Sequence, residues 1–233
     1  MSAKPTLILL PGLLCDDALW AHQTCGLADV ADVRVADLTG GDTMAALAQS
    51  VLETAPETFA LAGLSMGGYV AQEILRRAPE RVERVAFLDT NARADQPVQS
   101  ARRRALILEA SQGGFADIPP KLVPVLVHPD HLNLTDTVLD MAARVGVQGF
   151  LNQQSAILGR VDGRAGLADV TCPALVLCGA DDQLTPVAMH EEMVRAIGDS
   201  ATLDVVPHCG HLSTLEQPGA VTDALRAWLA AHA

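Results

Sequence analysis

A chain of 233 residues, 49% apolar but only 3% aromatic, can bury a sizeable core of Ala, Leu and Val within one domain. Its formal net charge of -12 argues against nucleic acid and anionic membranes as partners, since both would repel it, and fits a protein handling a small molecule. Five cysteines (Cys15, Cys25, Cys172, Cys178, Cys209), odd in number and without C-x-x-C spacing, argue against a disulfide framework or zinc site and make a reducing cytoplasm the expected compartment.

The first apolar run, residues 6–10, follows Lys4 and ends at Pro11-Gly12. It is too short for a signal-peptide core or a membrane span, and reads as a strand. A second run covers 33–38, and a helix is predicted over 43–54 with Asp42 as its cap. The third run, 59–64, leads into Ser65-Met66-Gly67, and a helical pattern over 66–77 begins directly behind it. Gly63-Leu64-Ser65-Met66-Gly67 is thus G-x-S-x-G at a strand–bend–helix junction, the nucleophile elbow. Such a turn closes only if the positions two residues either side of the serine lack side chains. The first N–H groups of the following helix then point, unpaired, at whatever binds there.

A fourth run spans 84–89. Between Asp89 and Asp169 there is no strand pattern, only helical ones at 100–112, 119–127, 136–146 and 148–158. About eighty residues without a strand are too long for a loop, so residues 90–169 are expected to form an inserted helical lid on a core of 1–89 and 170–233. Runs at 174–179 and 202–206 alternate with helices at 187–197 and 218–231, where Pro186 and Pro218 suit helix starts. Apolar runs of this kind suit strands covered on both faces. The alternation predicts a doubly wound, mostly parallel six-stranded α/β sheet, with ligands beyond the carboxyl ends of the strands.

Three of those ends carry the residue types of nucleophilic catalysis. A serine needs a base to activate it, and the base needs an orienting group. Asp181-Asp182 follow the run at 174–179, and His208 and His211 follow the run at 202–206. The order serine, acid, histidine is the one that accompanies this elbow. The N–H of Met66, next after the serine, is one candidate oxyanion donor, and the loop Pro11-Gly12-Leu13-Leu14 is the expected source of a second.

Leu-Leu-Pro-Gly-Leu with Trp20, Gly-Leu-Ser-Met-Gly-Gly, Ala-Pro-Glu-Arg-Val, Cys-Gly-Ala-Asp-Asp-Gln-Leu-Thr-Pro and Gly-His-Leu-Ser-Thr-Leu-Glu-Gln-Pro together resemble the α/β-hydrolase superfamily. The sequence is most similar to the branch holding 3-oxoadipate enol-lactonases, carboxylesterases, C–C bond hydrolases and cofactor-free haloperoxidase-type enzymes. The resemblance implies Ser65 as nucleophile, Asp182 rather than Asp181 as acid, His211 rather than His208 as base, and backbone oxyanion donors at Leu13 and Met66. Asp89 is a weaker candidate acid, since some relatives place the acid there. Two departures stand out. Pro11-Gly12 replaces the His-Gly that often precedes the oxyanion residue, and the two antiparallel edge strands are missing, so a trimmed sheet is expected.

The remaining candidates have plainer readings. Asp181, Asp182, His208 and His211 as a metal site is disfavoured beside the elbow. Arg102-Arg103-Arg104 can pair with a carboxylate, but at most two of three consecutive helical residues face one pocket, and a solvated face is the expected setting, as for Gln153, Gln154 and Arg160. His22, His128, His131 and His190 read as surface or packing residues, and Cys15 and Cys209, near the site loops, suggest oxidation-sensitive activity. No G-x-G-x-x-G or P-loop is present, so no nucleotide cofactor is indicated. The expected function is a cofactor-free serine hydrolase acting on a small carboxylic ester or lactone. Enol-lactone or C–C bond hydrolysis, a slow-turnover ligand-binding homologue, and acyl transfer to another acceptor are the alternatives.

Overall fold

The computed structural model describes residues 4–231. Six strands, β1 (Thr6–Leu10), β2 (Asp32–Val35), β3 (Phe59–Leu64), β4 (Val82–Leu88), β5 (Ala174–Gly179) and β6 (Ala201–Val206), form one sheet. Its order is β2-β1-β3-β4-β5-β6 and every neighbouring pair is parallel. The chain winds outward from β1 to β2, then returns to β3 on the other side of β1. The loops after β1 and β3 therefore face each other at the switch point, where open α/β sheets bind ligands.

Among the described residues the α-helices are α1 (Ala21–Gly26), α2 (Met44–Thr54), α3 (Met66–Arg77), α4 (Pro97–Ser111), α5 (Ile118–Leu126), α6 (Thr135–Leu158), α7 (Arg164–Leu167), α8 (Val187–Ile197), α9 (Ser213–Glu216) and α10 (Pro218–Ala230). Strand alternation sends successive residues to opposite cores. Ile8, Leu10, Phe59, Leu61, Val85, Phe87 and Val176 pack with α2, α3 and α8. Leu7, Leu9, Ala60, Ala62, Ala86, Leu88 and Leu177 pack with Trp20 and with Val221, Leu225 and Trp228 of α10. The interior strands β3 and β5 are buried at every residue, which is why they read as unbroken apolar runs.

The edges differ from expectation. β2 covers Asp32–Val35 rather than 33–38, because Asp37 accepts from the Thr39 N–H in a turn that takes the chain off the sheet. β6, the other edge, is largely exposed rather than covered on both faces. The cap of α2 is Thr43, not Asp42: its hydroxyl accepts from the Ala46 N–H at 3.1 Å, the three-residue reach that capping requires. Pro186 is the N-cap of α8, and Pro218 is the first residue of α10.

Between β4 and β5 the chain is helical, from α4 to α7. The two patterns at 136–146 and 148–158 lie on one helix, α6, interrupted at Gly146 where φ is 68°. Leu14, Ala110, Ile118, Ala142, Val145 and Phe150 form a third apolar cluster that joins these helices to the loop after β1. Among the described residues no helix is long and apolar enough to cross a membrane.

Candidate active site

Ser65 sits between β3 and α3 at φ 53° and ψ -112°, a backbone conformation that L-residues rarely adopt. The surrounding structure holds it there. A Cβ on Gly63 would overlap the Gly67 carbonyl, and one on Gly67 would overlap the Leu10 carbonyl, so only glycine fits at either side of the turn. The Ser65 N–H donates to Leu88 O at 2.9 Å, and the Thr90 hydroxyl donates to Ser65 O at 2.8 Å.

Ser65 Oγ lies 2.9 Å from His211 Nε2, and His211 Nδ1 lies 2.8 Å from Asp182 Oδ2. A carboxylate only accepts, so the imidazole proton belongs on Nδ1 and Nε2 is left free to accept from the serine. Asp182 also receives the N–H groups of Leu184 and Thr185 at 2.8 and 3.0 Å and the Thr185 hydroxyl at 2.5 Å. Burial works to raise the Asp182 pKa, but the neighbouring imidazolium and these donors outweigh it and hold the carboxyl far below the usual range. Burial likewise works to lower the His211 pKa, and the Asp182 charge beside it outweighs that, leaving the imidazole above its ordinary value. Asp181 turns outward, 3.6 Å from His128 Nε2, and His208 is 77% exposed with no contact to Ser65.

Behind the triad-like row lies a second carboxyl, Asp89, fully buried at φ 45°. It accepts from the Gly179 N–H at 2.9 Å and from the Ser213 hydroxyl. Desolvation, then the nearby Asp182 charge, push its pKa up to about 8, which favours the protonated form. His190 is also buried, accepting the Thr90 N–H at 3.0 Å, and burial pushes its pKa down to about 4. It is a neutral packing residue, as the sequence suggests.

The loop after β1 faces the elbow. The N–H groups of Leu13 and Met66 have no acceptor among the described residues. Leu14, at φ 60°, donates its N–H to Gln153 Oε1 at 2.9 Å, and Gln153 Nε2 donates to Leu38 O at 3.3 Å. Gln153 is therefore buried, not solvated as its polarity suggests, and fixes the loop that follows Pro11-Gly12. The signal was present in the sequence: Gln153 follows Phe150 by three residues and precedes Ala156 and Ile157 on one helix face.

Glu216 of α9 is a functional candidate that sequence reasoning missed. Buried, it accepts the N–H groups of Gly210 and Leu212, either side of His211, and of His128, each at 2.9 Å. Nothing local in the sequence distinguishes it from a surface glutamate.

A cavity of about 250 Å³ opens over Ser65 and His211. Arg102, Arg103 and Arg160 line it, whereas Arg104 does not. The solvated setting expected for this run holds for Arg104 and in part for Arg102, which is exposed although it lines the cavity, whereas Arg103 is half-buried against the site. Arg160 and Gln154 are buried as well. Cys15 lines the same cavity as an occluded thiol that burial pushes up to about 12, and burial raises Cys209 too. Burial disfavours the reactive thiolate in both, which works against the oxidation sensitivity suggested by their positions.

The model of the "Alpha/beta hydrolase family" matches residues 9–224. The pimeloyl-[acyl-carrier protein] methyl ester esterase of Aromatoleum aromaticum is 29% identical over 243 residues, covering 92% of this chain and 94% of that protein. The biotin biosynthesis bifunctional protein BioHC of Cellvibrio japonicus is 26% identical over 96% of this chain, which spans only 47% of that protein's length. Among solved structures, a malate-bound thermophilic esterase from Thermogutta terrifontis superposes with a TM-score of 0.90 at 28% identity, over 98% of this chain and 90% of that one.

Proposed function

This chain belongs to the alpha/beta hydrolase family and is an enzyme of hydrolase type, and from that premise we propose that it cleaves a small carboxylic ester or lactone through an acyl-enzyme on Ser65. The observation that carries the reading is the continuous row of hydrogen bonds from Ser65 Oγ to His211 Nε2 (2.9 Å) and from His211 Nδ1 to Asp182 Oδ2 (2.8 Å).

The chemistry follows from that row. His211 Nε2 takes the Ser65 proton as Oγ adds to the carbonyl carbon, and the carbonyl π electrons move to oxygen. The unpaired N–H groups of Leu13 and Met66 receive that oxyanion, a contribution of about 3–4 kcal/mol per donor. His211 returns its proton to the leaving oxygen as the acyl–oxygen bond breaks. Water, deprotonated by the same nitrogen, then splits the acyl-enzyme, releasing the acid and restoring Ser65. Asp182 fixes the tautomer and stabilises the imidazolium without taking the proton.

The helical segment 90–169 is read as a lid: Gln153 anchors it to the loop after β1, and it supplies most of the cavity wall facing Ser65. p-Nitrophenyl esters of increasing acyl length, assayed with wild type and Ser65→Ala, test the reading. Turnover of the short esters, abolished by the substitution, supports it; turnover that survives in Ser65→Ala contradicts it.

A further inference from the structure

The cavity wall opposite Ser65 carries more positive charge than its surroundings explain. The chain as a whole is at -12, yet Arg102, Arg103 and Arg160 converge on this one space against a single carboxylate, Asp95. The three guanidiniums are not equivalent.

Arg160 is fully engaged. Its side chain is 6% exposed and stacks over the Tyr69 ring at 4.3 Å, donates to the carbonyls of Arg93 and Ile157 at 3.1 and 3.2 Å, and lies 2.7 Å from Asp95 Oδ1. Arg103 is partly engaged: Nε donates to Asp95 Oδ2 at 2.7 Å and Nη1 to Gln154 Oε1 at 2.9 Å, while Nη2 has no acceptor among the described residues. Arg102 has neither an ion-pair nor a hydrogen-bond partner among the described residues, although it lines the cavity. Asp95 neutralises one of the three charges, so the wall keeps a surplus of two, held by a buried brace that fixes Arg103 in place. Arginine presents a planar fork that matches a carboxylate bidentately, and two guanidiniums with free N–H donors on one cavity wall suit an anion.

We propose that the acyl group of the substrate bears a second, terminal carboxylate, and that Arg102 and Arg103 bind it while its other end is presented to Ser65. This rests on the reading of Ser65 as the acylated residue and narrows its substrate class to half-esters of small dicarboxylic acids. The size permits it: a cavity of about 250 Å³ has room for the half-ester of a small dicarboxylic acid.

The test compares monomethyl glutarate with methyl glutaramate, its neutral isostere, by methanol release in proton NMR. Wild type is expected to favour the carboxylate in kcat/KM by about tenfold or more, as a charge-assisted contact implies. In Arg102→Gln that ratio is expected to fall to within about twofold, with the change in KM. Arg102 lies exposed on α4 and pairs with nothing, so its replacement leaves the brace intact, whereas replacing Arg103 would orphan Asp95. A ratio near one in wild type, or one unmoved by Arg102→Gln, overturns the proposal. If neither ester is cleaved, the hydrolase reading has failed on these substrates, and calorimetry of monomethyl glutarate still decides the anion site. Binding that Arg102→Gln abolishes supports it; absent or unchanged binding overturns it.

Discussion

Gln153, buried in α6, accepts a hydrogen bond from the Leu14 N–H at 2.9 Å and so ties the helical segment to the loop next to the elbow. Gln153→Ala leaves the Leu14 N–H and the Leu38 carbonyl without their partner, at about 1–3 kcal/mol. Because the adjacent Leu13 N–H is the proposed oxyanion donor, kcat on an activated ester is expected to fall about tenfold or more, with a smaller change in KM. Steady-state kinetics beside a thermal melt separate this from simple unfolding. A variant that melts lower yet keeps wild-type kcat would make Gln153 structural only.

Glu216 holds the histidine loop from both sides through the Gly210 and Leu212 N–H groups. In Glu216→Gln one oxygen becomes an NH2 facing a donor, so at least one N–H loses its acceptor. A loss of about 2–3 kcal/mol is expected, which for a chain of this size is a fall in Tm of roughly 5–10 °C. Activity falls with it, because His211 sits between the two released positions. Differential scanning calorimetry and the ester assay report the two effects.

Asp89 makes stability depend on pH in an unusual direction. Its pKa is about 8 in the folded chain against an ordinary 3.8, so between these values the folded state binds the extra proton and stability falls as pH rises. Asp89→Asn keeps an acceptor for Gly179 and supplies a donor to Ser213, without the charge. It is expected to raise Tm by several degrees at pH 8 and to do little at pH 4, flattening the slope. Equal shifts at both pH values would contradict this account of Asp89.

As the proposed base, His211 works only when neutral, so the rate is expected to rise with pH through its pKa. Asp182 lifts that pKa above the ordinary 6.5 against the opposing effect of burial. The acid limb of kcat/KM is therefore expected above 6.5 in wild type. In Asp182→Asn it moves lower while kcat drops by about 10³–10⁴. A pH–rate profile from 4 to 9 checks both.

The six strands were legible because parallel strands inside an α/β sheet are buried on both sides and leave unbroken apolar runs; where an edge is exposed, as at β2, the boundary blurred. Helices of four to six residues, α1, α7 and α9, are too short to show a period. At the site, Ser65, Asp182 and His211 fall at three strand ends in an order visible along the chain. Glu216, Asp95 and Gln153 act through partners 4 to 139 residues away, and no spacing rule encodes such contacts. The arginine run carried half its message: the sequence limits how many can face a pocket, but only the turn of α4 selects Arg102 and Arg103.

The central claim is that Ser65 is a nucleophile activated by His211, and covalent labelling tests it most directly. Wild-type protein treated with a fluorophosphonate and digested is expected to carry one adduct, on the peptide containing Ser65, with none in Ser65→Ala. A wild type that stays unlabelled and inert to activated esters, or a Ser65→Ala variant labelled to the same extent, would contradict it.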